Sequence, residues 1–402
     1  MSGFTAIWLS QIVAIVGGTV YPGDGTKLEQ ATVIIEGKSI TAVGPSVPVP
    51  PGATVIDAKG QIVTPGLFDP YTHLGLVEIE AIEETNDIDS GEPDSIRAAQ
   101  LAAESYNPDS SVIPVQRAHG VTTVLIAPEG GLIGGQAAIV DLDRDGDRPG
   151  VVSSSVGMVA YFGGSVAPSR GALLLTLREL FDDARAYAKN KAAFDKNQYR
   201  RLSTSKRDLE ALQPVVQGRL PLLMHVNRRV DIESVIAFAA EQKVKLVLVG
   251  ATEAWIVAEA LARTHIPVIL DPVENAPEDF DRYHARADNA ALLEKAGVPV
   301  MLSTFSAHNV RKLRQWAGNA VREGMTQAGA LRAVTSLPAE VFGLKDHGRL
   351  AAGQVANVVV WSGDPFELST VARRVFIRGR DVGTDHRQKA LLDRYRTLPL
   401  QK

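Results

Sequence analysis

Residues 63–75 read VTPGLFDPYTHLG. A short apolar run meets a Pro-Gly break, an apolar pair follows, and Asp69, Tyr71 and His73 then recur at every second position. Side chains alternate between the two faces of a strand, so these three groups share one side of one strand end. A strand finishing in convergent polar side chains is the form expected where a domain of parallel strands builds its site.

Working outward, the flanks have a different texture. Residues 14–25 (AIVGGTVYPGDG) and 31–44 (ATVIIEGKSITAVG) alternate apolar and polar positions and break at Gly and Asp, as β-hairpins do. The same texture returns at 348–365 (GRLAAGQVANVVVWSGDP) and 371–382 (VARRVFIRGRDV). Between the two ends, compact apolar runs recur at GVTTVLIAP, VVSSSVGMVAYF, RLPLLMHV, VKLVLVG, IPVILDP and VPVMLST. Helix-like segments separate several of them, at Ile232–Gln242, Glu253–Thr264, Asn289–Ala296, Val310–Glu323 and Gln327–Thr335. Continuous apolar strands alternating with amphipathic helices predict parallel strands covered by helices. The fold expected is α/β: a (β/α)8 TIM barrel over 61–344, with a small composite β-sandwich domain built from residues 1–60 and 345–402. Residues 172–216 are expected to be a solvated, basic, helical excursion.

Composition narrows the function. The chain has 402 residues, 45% hydrophobic and 22% charged, with a net charge of −4. No global positive field recruits nucleic acid. With no Cys, disulfides, thiolate chemistry and Cys-based metal sites are excluded. The apolar start, Phe4 to Val20, is interrupted by Ser10, Gln11 and the Gly17–Gly18 pair, and no basic residue precedes it. A spanning helix needs about 20 apolar residues and a signal peptide a charged start. The stretch therefore reads as strand, with no membrane partner. The location expected is cytoplasmic as the sequence stands, or periplasmic if a signal peptide has been removed.

VTPGLFDPYTHLG resembles the strand-1 motif of the amidohydrolase superfamily, in which a Pro-Gly and an apolar pair precede D-x-H-x-H. Residues 33–67 are similar to that superfamily's N-terminal β-domain entering its barrel, and residues 330–365 to its C-terminal return; the imidazolonepropionase/prolidase-like branch is the nearest. The resemblance implies a divalent metal that lowers the pKa of a bound water and polarises a carbonyl. It also implies ligand positions, and these differ from the family's pattern here. His73 keeps the second strand-1 position, while Tyr71 replaces the first. His225, in RLPLLMHVNRRVDI, matches the strand-5 His. Gly250 stands at the strand-6 His, and Phe305 at the strand-8 Asp. A phenol with pKa about 10 is a poor substitute for imidazole, and catalytic zinc sites normally use three protein ligands. Metal ligands are thus restricted to His73 and His225, with no cofactor expected beyond weakly held zinc. Tyr71 and Phe305 are expected to fill the space the metal would have occupied.

Other polar residues should cluster at the barrel mouth: Asn227, Arg228 and Arg229 after His225, Asp271 after strand 7, and His308 after strand 8. Their types suit a small polar or anionic ligand, with Arg228 or Arg229 as a carboxylate fork. Asp231 reads as the N-cap of the following helix. The acidic segment 78–94 (Glu78, Glu80, Glu83, Glu84, Asp87, Asp89, Glu92, Asp94) follows strand 1. It reads either as a solvated loop or as an attractor of cations. Residues 130–136 (GGLIGGQ) read as a turn into a strand rather than a phosphate loop.

Three functions stay open. The leading one is a non-catalytic or ligand-binding relative, in a homo-oligomer or paired with an active homologue. The second is a hydrolase of non-peptide C–N or dipeptide bonds that uses His73, His225 and Tyr71. The third is a metal-independent lyase or isomerase in the same pocket.

Overall fold

The computed structural model describes residues 12–88, 95–143, 150–164, 166–167, 169–196 and 198–396. The start of the apolar stretch, Phe4 to Gln11, and Asp89, Glu92 and Asp94 of the acidic segment lie outside the described residues. The described strands are β1 (Ile12–Val20), β2 (Leu28–Glu36), β3 (Ser39–Gly44), β4 (Thr54–Asp57), β5 (Ile62–Pro65), β6 (Leu67–Thr72), β7 (Val121–Ile126), β8 (Ile133–Asp141), β9 (Val151–Tyr161), β10 (Leu222–Val226), β11 (Leu246–Gly250), β12 (Val268–Leu270), β13 (Val300–Leu302), β14 (Val358–Trp361), β15 (Ala372–Ile377) and β16 (Arg380–Asp381).

They form two eight-stranded sheets. The first joins both ends of the chain: β5 pairs in parallel with β1 and antiparallel with β14, so Val63 lies opposite Val360. Alternation along β14 divides its side chains between two cores. Val358 and Val360 pack with Val13, Ile15, Val33, Ile35 and Phe376 inside this domain. Val359 and Trp361 face the barrel's outer core. The Trp361 indole N–H donates to Thr64 Oγ1 at 2.8 Å. Its ring fills space at Gly120, where a Cβ would come within 2.2 Å of it.

The second sheet is the barrel, ordered β6 to β13 in sequence. Its strands are parallel except β8, which runs antiparallel to both β7 and β9. The residues between Ile126 and Ile133 are too few for a crossover helix, so the chain must turn back. Gly130 and Gly131, both at positive φ, make that turn, and residues 130–136 do lead into a strand. The helices separating the later strands include Arg229–Gln242, Asn289–Lys295, Leu313–Arg322 and Gln327–Ala333. Asp231 is not the N-cap expected for the first of these. Arg228 holds that place, and Asp231 lies buried in the first turn, 3.3 Å from Arg170.

The excursion after β9 is more than a solvated face. Its long helix, Arg170–Asp195, buries Leu173, Leu177, Leu180, Phe181, Ala184 and Tyr187, a stripe at helical spacing. Phe181 packs edge-on to Phe238 of the helix Arg229–Gln242. The basic residues there do face outward, and several pair with acids, Lys191 with Glu210 and Lys206 with Asp195. Among the described residues no helix is long and apolar enough to cross a membrane.

The two sheets are clasped by polar groups at the barrel's bottom. The buried Asp141 carboxylate accepts from Thr123 Oγ1 (2.8 Å) and from Asn357 Nδ2 (2.9 Å), and His347 Nε2 lies 3.3 Å away. Burial alone would push the His347 pKa down, but Asp141 and Asp346 together outweigh it and hold it above the ordinary value. Asn357 Oδ1 meanwhile accepts from the Arg378 amide at 2.8 Å. A side-chain amide can both donate to Asp141 and accept from Arg378, whereas an ionised carboxylate can only accept. Asn357→Asp should therefore set two carboxylates against each other and cost about 2–3 kcal/mol at neutral pH. Urea unfolding at pH 7 and at pH 5 checks this: the deficit should shrink in acid as one carboxylate takes up a proton, and an equal deficit at both would refute the repulsion.

Candidate functional site

The barrel is closed at its seam by side chains. The described strands β6 and β13 share no ladder, yet the residues after β13 reach back to Asp69. Ser303 Oγ lies 2.6 Å from both Asp69 Oδ1 and Tyr71 O. Thr304 donates to Asp69 Oδ2 through its hydroxyl (2.6 Å) and its amide (3.2 Å). Burial pushes the Asp69 carboxyl up to about 6 against these hydrogen bonds.

At the C-terminal ends of the strands, Tyr71 is buried between the two imidazoles. Its ring centroid lies 4.8 Å from His225 and 5.9 Å from His73, both edge-on. Phe305 packs against Tyr71 at 5.3 Å. Tyr161 ends β9 in register with His225 and stacks on it at 4.3 Å. The Tyr71 and Tyr161 hydroxyls are 3.3 Å apart. Burial holds the Tyr71 phenol well above its usual pKa, so it stays neutral. Tyr161 was missed in the sequence reading. The signal was present, since it closes the apolar run VVSSSVGMVAYF where the strand meets the mouth.

The two histidines differ. His73 Nδ1 is 2.9 Å from Ala127 O. A carbonyl only accepts, so Nδ1 carries the proton and Nε2 of the neutral ring is an acceptor. His225 Nε2 is buried without a hydrogen-bond partner. Burial, with His73 and Arg282 nearby, lowers the His225 pKa to about 3.

The replaced positions have their own backbone geometry. Gly250 has φ +81°, and a Cβ there would lie 2.5 Å from Asn227 Oδ1, which accepts from Thr252 Oγ1 at 3.1 Å. Ala251 is also left-handed, at φ 47°. Phe305 sits at φ 48°, a conformation disfavoured for a bulky side chain and better suited to Asp or Asn.

Above this aromatic floor is a cavity of about 480 Å³, lined among others by Tyr71, His73, Tyr161, His225, Asn227, Phe305, Glu80, Glu129, Asp281 and Arg282. Of the residues expected at the mouth, His73, His225, Tyr71, Asn227 and Phe305 line it, and Arg228, Arg229, Asp271 and His308 do not. Arg228 is exposed. Arg229 is spent on Glu233 at 3.0 Å. Asp271 turns back to accept from the Val273 amide at 2.8 Å, and burial pushes its carboxyl up to about 7. His308 ties the acidic segment down, with Nε2 donating to Glu78 O at 2.9 Å and Nδ1 3.2 Å from Glu80 Oε1. Arg282 is the cavity's arginine, and nothing in the sequence pattern singled it out. Among the described residues no group of three or more His, Asp or Glu is arranged to hold a metal.

An imidazole that must shed its proton to fold loses stability as pH falls below its unfolded pKa of about 6.5. His225 should accordingly remain neutral from pH 8 to pH 5 in ring NMR spectra, and His225→Phe should flatten the acid-side loss of stability. A His225 signal titrating at the ordinary value would contradict its burial.

The chain's C-terminal part, residues 276–382, matches the Amidohydrolase family model. Amidohydrolase tasK of Hapsidospora irregularis is 23% identical over 86% of the chain, which spans only 39% of tasK's length. An imidazolonepropionase of Anaeromyxobacter dehalogenans is 28% identical over 87% of the chain and 88% of its own length. Among solved structures, an amidohydrolase from Thermotoga maritima superposes with a TM-score of 0.84 at 26% identity, covering 92% of this chain and 99% of its own.

Proposed function

This chain belongs to the amidohydrolase superfamily, and from that premise we propose that its barrel mouth is a ligand-binding pocket in which an aromatic floor stands in place of the superfamily's metal centre. One observation carries the reading: the Tyr71 ring lies between His73 and His225 and is backed by Phe305. A metal bound there would supply Lewis acidity and an activated water. The residues present do not fit it. Two imidazoles remain as donors, the Tyr71 phenol is neutral, and Gly250 and Phe305 offer no ligand atom. With fewer than the usual three protein ligands, zinc would be held weakly. The cavity above stays open, which suits binding.

A second reading, hydrolysis of a C–N bond through an altered site, draws support from the hydrolase relatives and from His225, a neutral imidazole with a free nitrogen facing the pocket. In that case His225→Ala should abolish any turnover found.

Metal analysis after dialysis tests the leading reading. The wild-type chain should hold well under one zinc per chain, and one tightly held zinc would overturn it. Tyr71→His with Phe305→Asp should raise zinc retention. Adding Gly250→His should instead cost about 1–2 kcal/mol of stability, because its backbone is left-handed and Asn227 fills the space.

A further inference from the structure

The cavity wall brings a carboxylate and an imidazole together. Glu129 Oε2 lies 3.9 Å from His73 Nε2. With Nδ1 donating to Ala127 O, that nitrogen is an acceptor, and so is the carboxylate. In the neutral ring the two acceptors face each other at 3.9 Å, a separation that one donor group can bridge. Glu129 follows β7 and is half exposed; among the described residues no Lys or Arg pairs with it. His225 lines the same cavity, and its buried Nε2 has no hydrogen-bond partner.

The cavity's charges point the same way. Of its carboxylates, Asp281 is paired with Arg170 and Glu80 lies beside His308, which leaves Glu129 as the lining carboxylate that no described Lys or Arg pairs with. Arg282 is engaged by Glu274, Glu278 and Asp279. Tyr71, Tyr161, Phe162 and Phe305 supply aromatic surface, which attracts cations through its ring quadrupoles. Within two residues of the lining Glu80, Asp281 and Arg282, the side chains of Ile79, Ile82, Phe280 and Tyr283 are exposed, Phe280 at 91%. An anion would meet the Glu129 carboxylate, and the lining Arg282 is already held by acids.

We infer that this cavity takes an organic cation, a primary amine carried on an apolar group, with its ammonium seated between the Glu129 carboxylate and His73 Nε2. The inference rests on the metal-free reading of the pocket. The ammonium N–H groups satisfy both acceptors, and the apolar part lies on the aromatic walls toward the hydrophobic rim. It replaces the anionic ligand expected from Arg228 and Arg229, which lie outside the cavity.

The test compares benzylamine, benzyl alcohol and benzoate, which share a ring and differ in head-group charge. Each is titrated calorimetrically into the full chain in EDTA. Zinc content, measured first on the same sample, reports on the metal-free reading independently. Benzylamine should bind at least about tenfold more tightly than benzyl alcohol, the scale of one hydrogen bond to a charged group, and benzoate should not bind. Glu129→Gln should remove that preference, while Glu259→Gln, on an outer helix, should leave it intact. Nitrogen NMR of His73 provides a readout independent of folding in the variants: Nε2 should be unprotonated in the free protein and shift as it accepts a hydrogen bond from benzylamine. The inference fails if benzylamine does not saturate, if benzoate or benzyl alcohol binds as well, if Glu129→Gln retains the preference, or if His73 is already an imidazolium paired with Glu129.

Discussion

The buried carboxyl of Asp69 is the constraint on which the upper half of the barrel depends. A closed barrel needs its first and last strands joined, and here β6 and β13 are joined by side chains. Asp69 accepts from the Ser303 and Thr304 hydroxyls, from the Thr304 amide and from the Tyr71 amide. The same Ser303 hydroxyl accepts from the Phe305 amide. One network therefore places both aromatic residues that meet over the barrel axis. Desolvation raises the carboxyl's pKa despite these bonds, which shows how little water reaches the seam. Losing Asp69 would strand the Thr304 hydroxyl and two amides in that dry setting, each at a desolvation cost of about 1–3 kcal/mol, while the Ser303 hydroxyl would keep Tyr71 O as its acceptor.

The floor built on this network follows a consistent electrostatic logic. A metal centre gathers charged ligands around a cation, and without the cation those ligands would be buried charges at several kcal/mol each. Neutral rings avoid that cost. Tyr71 stays protonated, His225 stays uncharged, and Phe305 has nothing to ionise. Stacking of Tyr161 on His225 and the edge-on approach of Tyr71 add packing energy. What remains polar is pushed to the wall, where Glu129 is half exposed and can hold its charge.

Much of the architecture was legible because it rests on periodicity and punctuation. The alternating ends, the apolar strands and the later helices each bury a face the sequence marks plainly. The reversed β8 was harder to read, because a short glycine turn and a crossover helix differ only in the length of chain between two similar apolar runs. At the site, strand ends were readable, since Tyr71, His73, His225 and Phe305 hold fixed positions on strands or just beyond them. Loop residues were not. Arg228 and Arg229 looked suited to a ligand, but Arg228 is exposed and Arg229 pairs with Glu233, whereas Arg282 lines the cavity from a long connection in which His284 bonds to Glu253 and Arg282 to Glu274. Asn357 carries no mark in the strand pattern, yet its amide serves Asp141 and Arg378 together.

That contrast reflects a division of labour common in barrels, where strands fix geometry and loops set recognition. The floor cannot adjust, because its rings interlock and its backbone is tied to Asp69. The walls are separate pieces: the acidic segment, anchored through His308 to Glu78 and Glu80, and the strand-7 loop, anchored through Arg282 to Glu274. Each wall brings carboxylates to the opening, and the arginines near it are already engaged by other acids. A cavity with a neutral floor and acidic walls discriminates by the sign of the ligand's charge, and that preference belongs to the loops rather than to the motif that identifies the fold.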